Sequence, residues 1–325
     1  MSEQTAFILQ LKSPLIGKLD SIKLFGAITS ALSELDPQKM EFFLKSFEEN
    51  KLRISSLFPV VPDKEGHRYY LPMPKIDFRV DPNIFNDIEE NKRKEQFGLL
   101  KKIKKIKYVS KEIFEELINN RYYIRNLLEK LDKDTGVWKI EKKIENRYLL
   151  NKTETAPVIK ETEVPRNMLN RYTGRSEIFY SAASVYENCN IFFLARGDEH
   201  LINIIESAIK FLQDRGFGQD SSTGYGTFKY TKKEKLDIEE PESSCCITLS
   251  LFYPKEAEIS KTKKIYTIRE IKGITKDGKH IPAVVFIDEG SYFEKEEVNG
   301  TKYVVPKTVN ILSGYAYPIK IVKCD

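Results

Sequence analysis

Long apolar runs are missing from this chain of 325 residues. Ile191-Phe192-Phe193-Leu194-Ala195 is typical of its longest, well short of the roughly 18 residues a membrane span needs. Met1-Ser2-Glu3-Gln4 has no basic n-region, and the apolar stretch after it is too short for a secretory signal. A soluble, cytoplasmic protein with no membrane partner is expected. Histidine is as scarce: His67, His200 and His280 stand far apart, with no H-E-x-x-H. The four cysteines, Cys189, Cys245, Cys246 and Cys324, show no C-x-x-C spacing. No metal site and no cofactor are expected. Cys245 and Cys246 open an apolar run, where a strand would point them to opposite faces, and they read as buried free thiols of a reducing compartment. The G-x-S-x-G elbow of a hydrolase is absent too. Glycine and proline are sparse, 16 and 14 residues, which excludes collagen-like and Pro/Gly low-complexity chains.

What is present is aromatic and charged. One Trp, 17 Tyr and 19 Phe make a disordered chain untenable. Lys and Arg number 53 against 48 Asp and Glu, a formal charge of +5 with a pI near 8.7. That mild excess identifies no partner, and its densest part is Lys92 to Lys107, with eight basic residues and one acid, Glu95. The run reads either as a solvated helix face or as a patch that tracks phosphates. Surface enrichment in Lys and Glu, as in a heat-adapted host, would also produce it.

Thr5 to Lys12 patterns as a strand. Ser21 to Leu35 has helical spacing, with Ile22, Leu24, Phe25, Ile28, Leu32 and Leu35 on the apolar side. Asp36-Pro37 starts a second helix as cap and first residue. Leu52 to Ile54 and Tyr69 to Leu71 read as strands, and Ile84 to Leu131 as helical, with Ser110 as an N-cap. Trp138 to Leu150 fits strand or helix, and Asn151 to Pro165 is a loop. Glu177 to Tyr186 and Asn190 to Arg196 are β-rich neighbours. Asp198 caps a helix that buries Leu201, Ile204, Ile205, Ala208, Ile209 and Leu212 and stops at Arg215-Gly216. A strand from Gly226 to Thr231, a charged linker from Lys232 to Glu242 and strands at 246–253, 264–272, 282–288 and 302–312 complete the chain.

The order β-α-β-β-α-β predicts an α+β, ferredoxin-like (RRM-like) domain. It spans residues 1–235, with a helical insertion at about 75–150 and a thumb-like segment at about 160–186. Residues 240–325 form a smaller β-rich domain, read as a degenerate copy of the same fold. Such a sheet is expected to bury one face under helices and keep the other open for a ligand.

Gly216 to Gly226 places four glycines in eleven residues. It is not a dinucleotide loop, because Ser221 stands where the third glycine belongs and the loop follows a helix. No Gly-Lys-Ser/Thr closes a P-loop, and Gln219-Asp220 breaks the RRM-like start Arg215-Gly216-Phe217-Gly218. Two readings remain. Gly216, Gly218, Gly224 and Gly226 free the amides to form an anion nest, helped by Ser221, Ser222, Thr223, Tyr225 and Arg215. Alternatively, the glycines serve a long turn's own geometry, with Asp214 and Asp220 bonded inside it.

A glycine-rich loop between the second helix and last strand of such a domain resembles the RAMP superfamily of CRISPR proteins. Ser21-Ile22-Lys23-Leu24-Phe25-Gly26-Ala27-Ile28 resembles its first-helix block. Ile54 to Pro59, Tyr69 to Pro74 and Val164 to Arg175 resemble blocks of one branch, the type III-A (Csm) subunit that caps the 5′ tag of the crRNA. The resemblance runs from residue 5 to about 230. It implies a non-catalytic subunit that grips the crRNA tag, docks the large polymerase/cyclase-like subunit and begins the stack of backbone RAMP subunits, meeting target RNA indirectly. A RAMP-type endoribonuclease processing the crRNA precursor is the alternative. In the backbone subunits an aspartate before the first helix cuts target RNA, and Asp20 lies near that place. The branch's usual Ser-Asp-Thr is here Ser21-Ile22-Lys23, and Lys23 meets a phosphate or is a plain surface lysine. Pro165 to Tyr186 corresponds to the thumb, where Arg166, Asn167, Arg171 and Arg175 suit phosphates and bases. Tyr172, Phe179 and Tyr180 offer stacking faces, unless the last two are strand core.

Overall fold

A computed structural model describes residues 4–18, 20–64, 66–76, 90–120, 131–132, 137–138, 142–259, 263–274, 280–306 and 310–323. The chain divides into two compact units, one of residues 1–67 with 157–236 and one of residues 68–156 with 237–325. The segment expected as an insertion thus groups with the C-terminal segment.

The first unit runs β1 (Gln4–Leu11), β2 (Leu15–Ile16), α1 (Ser21–Leu35), α2 (Pro37–Glu48), β3 (Arg53–Ile54), β4 (Phe58–Asp63), β5 (Ile159–Leu169), β6 (Ser176–Tyr186), β7 (Asn190–Arg196), α3 (Glu199–Leu212) and β8 (Phe228–Lys235). Its main sheet has the order β8-β1-β7-β4, with β3 also on β7. All these pairs are antiparallel. This is the β-α-β-β-α-β arrangement expected from the element order. A second sheet has the order β5-β6-β2.

Local chemistry sets the helices. The Asp20 carboxylate accepts the Lys23 amide at 3.1 Å. Asp36 accepts those of Gln38 and Lys39 at 3.1 and 3.2 Å, and Asp198 accepts that of Leu201 at 2.8 Å. Each satisfies donors that a helix start leaves open. The α1–α2 corner is filled by Phe25, Phe43 and Phe47, with ring centroids 5.0–5.6 Å apart. Each fully buried ring of this kind stabilises by roughly 1.5–3 kcal/mol. Leu35, expected on the buried side of α1, is instead exposed; it is the helix's last residue, just before the turn at Asp36.

The expectation of an open sheet face is wrong. Ala6, Phe7, Ile8 and Leu9 are all fully buried, as are Phe192, Phe193, Leu194 and Ala195 on β7. Successive strand residues point to opposite faces, so the central strands are covered on both. Phe7 and Phe193 stack with centroids 4.9 Å apart.

In the second unit, Tyr108–Ser110 lies antiparallel to the strand ending at Pro72 and parallel to Tyr148–Leu150, which pairs with Lys143–Glu145. The helical reading of 84–131 is corrected: helices Glu90–Lys104 and Lys111–Asn119 are separated by the Tyr108–Ser110 strand, whose Val109 is fully buried. The rest of that stretch, 84–89 and 120–131, is mostly outside the described residues. Ser110 precedes the second helix but makes no side-chain cap bond. Lys94, Lys101, Lys102, Lys104, Lys105 and Lys107 are exposed, as a solvated helix face would be. A four-stranded sheet joins Lys264–Ile265, Tyr292–Phe293, Cys246–Thr248 and Pro318–Lys320. Cys189, Cys245 and Cys246 are buried free thiols; Cys324 lies outside the described residues.

Candidate nucleic-acid interface

The glycine loop begins where α3 stops. Gly216 takes a φ of +70°, and its amide donates to the Leu212 carbonyl at 2.8 Å. The loop's neck is closed by the Phe217 amide on the Gly226 carbonyl at 3.2 Å. A Cβ on Gly226 would lie 2.2 Å from the Phe217 oxygen; only glycine fits. The amides of Gly216, Phe217, Thr223, Gly224, Tyr225 and Gly226 all donate to carbonyls within the protein. These six are therefore spent on the loop's own shape, and an anion nest cannot use them. Asp220 takes a left-handed φ of +61° before a short 3₁₀ turn at Ser221–Thr223. Ser222 and Thr223 are exposed, with Gly218 and Ser221 half-buried.

Two segments meet this loop. The Gly226 amide donates to the Pro14 carbonyl at 3.1 Å, and Gln219 bridges to Ile16. Lys23 donates through Nζ to the Lys18 carbonyl. It lies beside Gly17, where a Cβ would be 3.7 Å from Lys23 Nζ and 3.6 Å from Gln219 Oε1. The β5–β6 hairpin is the other. Arg166 Nη2 lies 2.8 Å from Asp220 Oδ2, and its guanidinium sits 4.6 Å from the Tyr225 ring centre. Structure thus brings Arg166, Asp220 and Tyr225 together, with Lys23 and Gln219 at the loop's other edge.

Arg215 is placed elsewhere. It pairs with Glu34 of α1 and lies 4.3 Å from the Phe211 ring centre. Asp20, 2% exposed, is committed to capping α1. His67 Nδ1 lies 3.2 Å from Glu234 and the His200 ring 5.5 Å from Phe42, so each has a separate neighbour.

The hairpin pairs in register from Ile159–Tyr186 to Leu169–Ser176. At its base the Val158 amide donates to Asn188 at 2.6 Å, and burial pushes the Cys189 thiol and the Tyr186 hydroxyl up to about 12. At its tip the Asn170 side chain accepts the Tyr172 and Thr173 amides at 3.0 and 3.1 Å, and Gly174 turns at a φ of +67°. Arg171 and Arg175 are exposed on this turn with Tyr172, which is 100% exposed. Asn167 is also exposed and accepts from the Ser176 hydroxyl. Phe179 and Tyr180 are exposed rather than strand core, as are Met168, Leu169 and Ile178. Sequence reading missed these last three. The signal was there: apolar residues at successive positions, Met168-Leu169 and Ile178-Phe179-Tyr180, on either side of a turn that carries Arg171 and Arg175.

An α+β chain with a β-α-β-β-α-β sheet, from which an arginine- and aromatic-bearing hairpin projects, is the class that fold and surface define. No family model matches the sequence, and no curated protein does. Solved structures do. Over 99% of both chains it matches, at 22% identity and a TM-score of 0.62, a chain from the Csm1–Csm4 cassette in complex with cA4. The same cassette with pppApA gives a TM-score of 0.63 at the same identity and coverage. A chain of the Csm3–Csm4 subcomplex of the type III-A CRISPR-Cas interference complex matches at 17% identity and a TM-score of 0.61, over 98% of this chain and 99% of that one. Csm4 is the component those assemblies share, and the fold described above is the Csm4 fold.

Proposed function

We propose that this chain is a non-catalytic RNA-binding subunit of a type III CRISPR effector complex. In this reading it grips the 5′ repeat-derived tag of the crRNA, joins a large polymerase/cyclase-like subunit to the backbone RAMP subunits, and meets target RNA only through them. The observation that carries the reading is the hairpin. Two exposed arginines, Arg171 and Arg175, with Arg166 nearer the base, and a row of exposed aromatic and apolar side chains stand on a fold seen, over its whole length, beside Csm1 and Csm3. Exposed aromatics interleaved with arginines suit single-stranded RNA, where rings stack on bases and guanidiniums pair with phosphates. Large and backbone subunits are the partners that those neighbouring assemblies suggest.

The test is photocrosslinking. The chain is assembled with a large subunit, backbone subunits and crRNA carrying 4-thiouridine in the tag, and crosslinked peptides are mapped. Peptides from 165–186 or 215–226 are expected. Peptides from Lys92–Lys107 alone would overturn the placement. Cleavage of labelled repeat RNA by the isolated chain would overturn the non-catalytic part.

A further inference from the structure

We propose that Arg166 serves RNA binding as a positioning residue: with Asp220 and Tyr225 it latches the β5–β6 hairpin onto the glycine loop, and it does not itself hold an RNA phosphate. The inference rests on the tag-binding reading above and assigns Arg166 a different task from Arg171 and Arg175.

Place in the hairpin comes first. Among the described residues its only strand contact outside itself is with β2, at Ala183–Ile16 and Ser184–Leu15, near the base. From there to the tip, no third strand supports the ladder among the described residues. Arg166, opposite Phe179, stands three pairs from the last pair of the ladder, Leu169–Ser176. A two-stranded ribbon is marginal by itself, so a contact so far from the base decides how the tip is aimed.

Commitment comes next. The Arg166 side chain is 18% exposed, and one face of its guanidinium is taken by Tyr225. Its Nε–H is buried and has no acceptor among the described residues. The charge is therefore held by the Asp220 carboxylate and the ring. Asp220 in turn is fixed by its backbone, since its carbonyl accepts the Thr223 amide and hydroxyl at 3.0 and 2.9 Å. A phosphate approaching Arg166 would meet a carboxylate already 2.8 Å from the guanidinium, whose negative charge opposes it. The pair carries no net charge, so it adds nothing to counterion release. This also accounts for a non-glycine residue at φ +61° in a loop that elsewhere uses glycine: only a side chain there meets Arg166.

The experiment uses the full chain, free and assembled with crRNA, as Arg166→Gln, Asp220→Asn and the double variant. Asparagine tolerates the left-handed conformation, so Asp220→Asn removes charge without forcing the loop. A latch predicts that each single variant weakens tag binding about tenfold, the worth of one charge-assisted hydrogen bond. It also predicts a double variant no weaker than either single one, an unchanged slope of log K on log salt, and faster amide exchange over residues 167–175 in the free chain. A direct phosphate contact predicts the reverse for the acid. Asp220→Asn would then leave binding intact or tighten it, while Arg166→Gln would lower the salt slope by about 0.7. That result, or exchange unchanged in both single variants, overturns the latch. A wild-type chain that fails to bind the tag overturns the functional reading alone, and the exchange measurement still decides the latch.

Discussion

Replacing Asp20 separates a structural carboxylate from a catalytic one. Its side chain is 3% exposed and accepts the Lys23 amide at 3.1 Å, and its second oxygen lies 3.9 Å from Lys23 Nζ. Alanine removes the cap, which typically costs about 1 kcal/mol. Asp20, Ser21 and Ile22 are buried, which puts the expected loss at the upper end for a cap, about 2 kcal/mol. At roughly 2–4 °C per kcal/mol for a domain of this size, Asp20→Ala should lower the thermal midpoint by about 4–8 °C. Asparagine caps as well as aspartate and forfeits the ion pair with a part-exposed lysine, worth about 0.5 kcal/mol. Asp20→Asn should therefore melt within about 2 °C of wild type. The assay is a pair: melting of the full chain by circular dichroism, and target-RNA cleavage by the complex assembled with each variant. Both variants should leave every cut site in place. An Asp20→Asn chain that melts normally but loses a cut site would refute the non-catalytic reading, and an Asp20→Ala chain with an unchanged midpoint would refute the cap.

Gly226→Ala should cost well over 2 kcal/mol in urea unfolding, because positive φ and a 2.2 Å approach to the Phe217 oxygen act together. Gly224→Ala, at φ +90° but with nothing within 4 Å, should cost only about 1–2 kcal/mol, and equal losses would contradict this account. Removing Arg171 and Arg175 together should flatten the salt slope of crRNA binding by about 1.4 in log–log units, two single-strand phosphate contacts; an unchanged slope would take both off the RNA. Cys189 and Cys246, each raised to about 12 by burial, should resist iodoacetamide at pH 8 until the chain unfolds. A raised folded pKa gives stability that is full below the unfolded value near 9 and is lost as pH climbs to 12. Alkaline destabilisation in that window should thus lessen by up to about 1.4 kcal/mol per pH unit in Cys246→Ala.

Sequence was most informative where local chemistry decides. Asp20, Asp36-Pro37 and Asp198 mark three helix starts because a cap acts over three residues, and the glycine loop was visible because its left-handed dihedrals and close backbone approaches favour glycine. It was least informative where a distant partner decides. Ser110 has the residue type of a cap, yet its hydroxyl is buried without a partner among the described residues. The strand at Tyr108–Ser110 interrupts a helical pattern because two other strands claim it. Ala6 to Leu9 did carry the sign of a strand buried on both faces, an unbroken apolar run, which the expectation of an open sheet face overlooked. At the candidate site, glycine spacing suggested an anion nest, but six of its amides go to internal carbonyls. The contact between Arg166 and Asp220 spans 54 positions and is invisible without the fold.

The hairpin also explains how an exposed apolar surface is tolerated. Residues directly opposite in the ladder share a face, so the pairs Pro165–Tyr180 and Asn167–Ile178, with Leu169, form one side. Ile178 and Tyr180 there are 68% and 63% exposed. A flat, open strand with such a surface would invite pairing with another chain. Here β5 is the outer strand, and Pro165 in its middle has no amide to offer a new partner. Lys160, Glu161 and Glu163 lie exposed nearer the base and keep that part wet. Met168, Leu169 and Ile178 thus lie beyond the Arg166–Asp220 contact, with Phe179 opposite Arg166 and Tyr180 one pair nearer the base. There they remain free for a base or a partner side chain, while the strand edge stays closed to aggregation. A hairpin held in one orientation loses less entropy on binding than a swinging one. The contact at Arg166 and the exposure beyond it are therefore parts of one device.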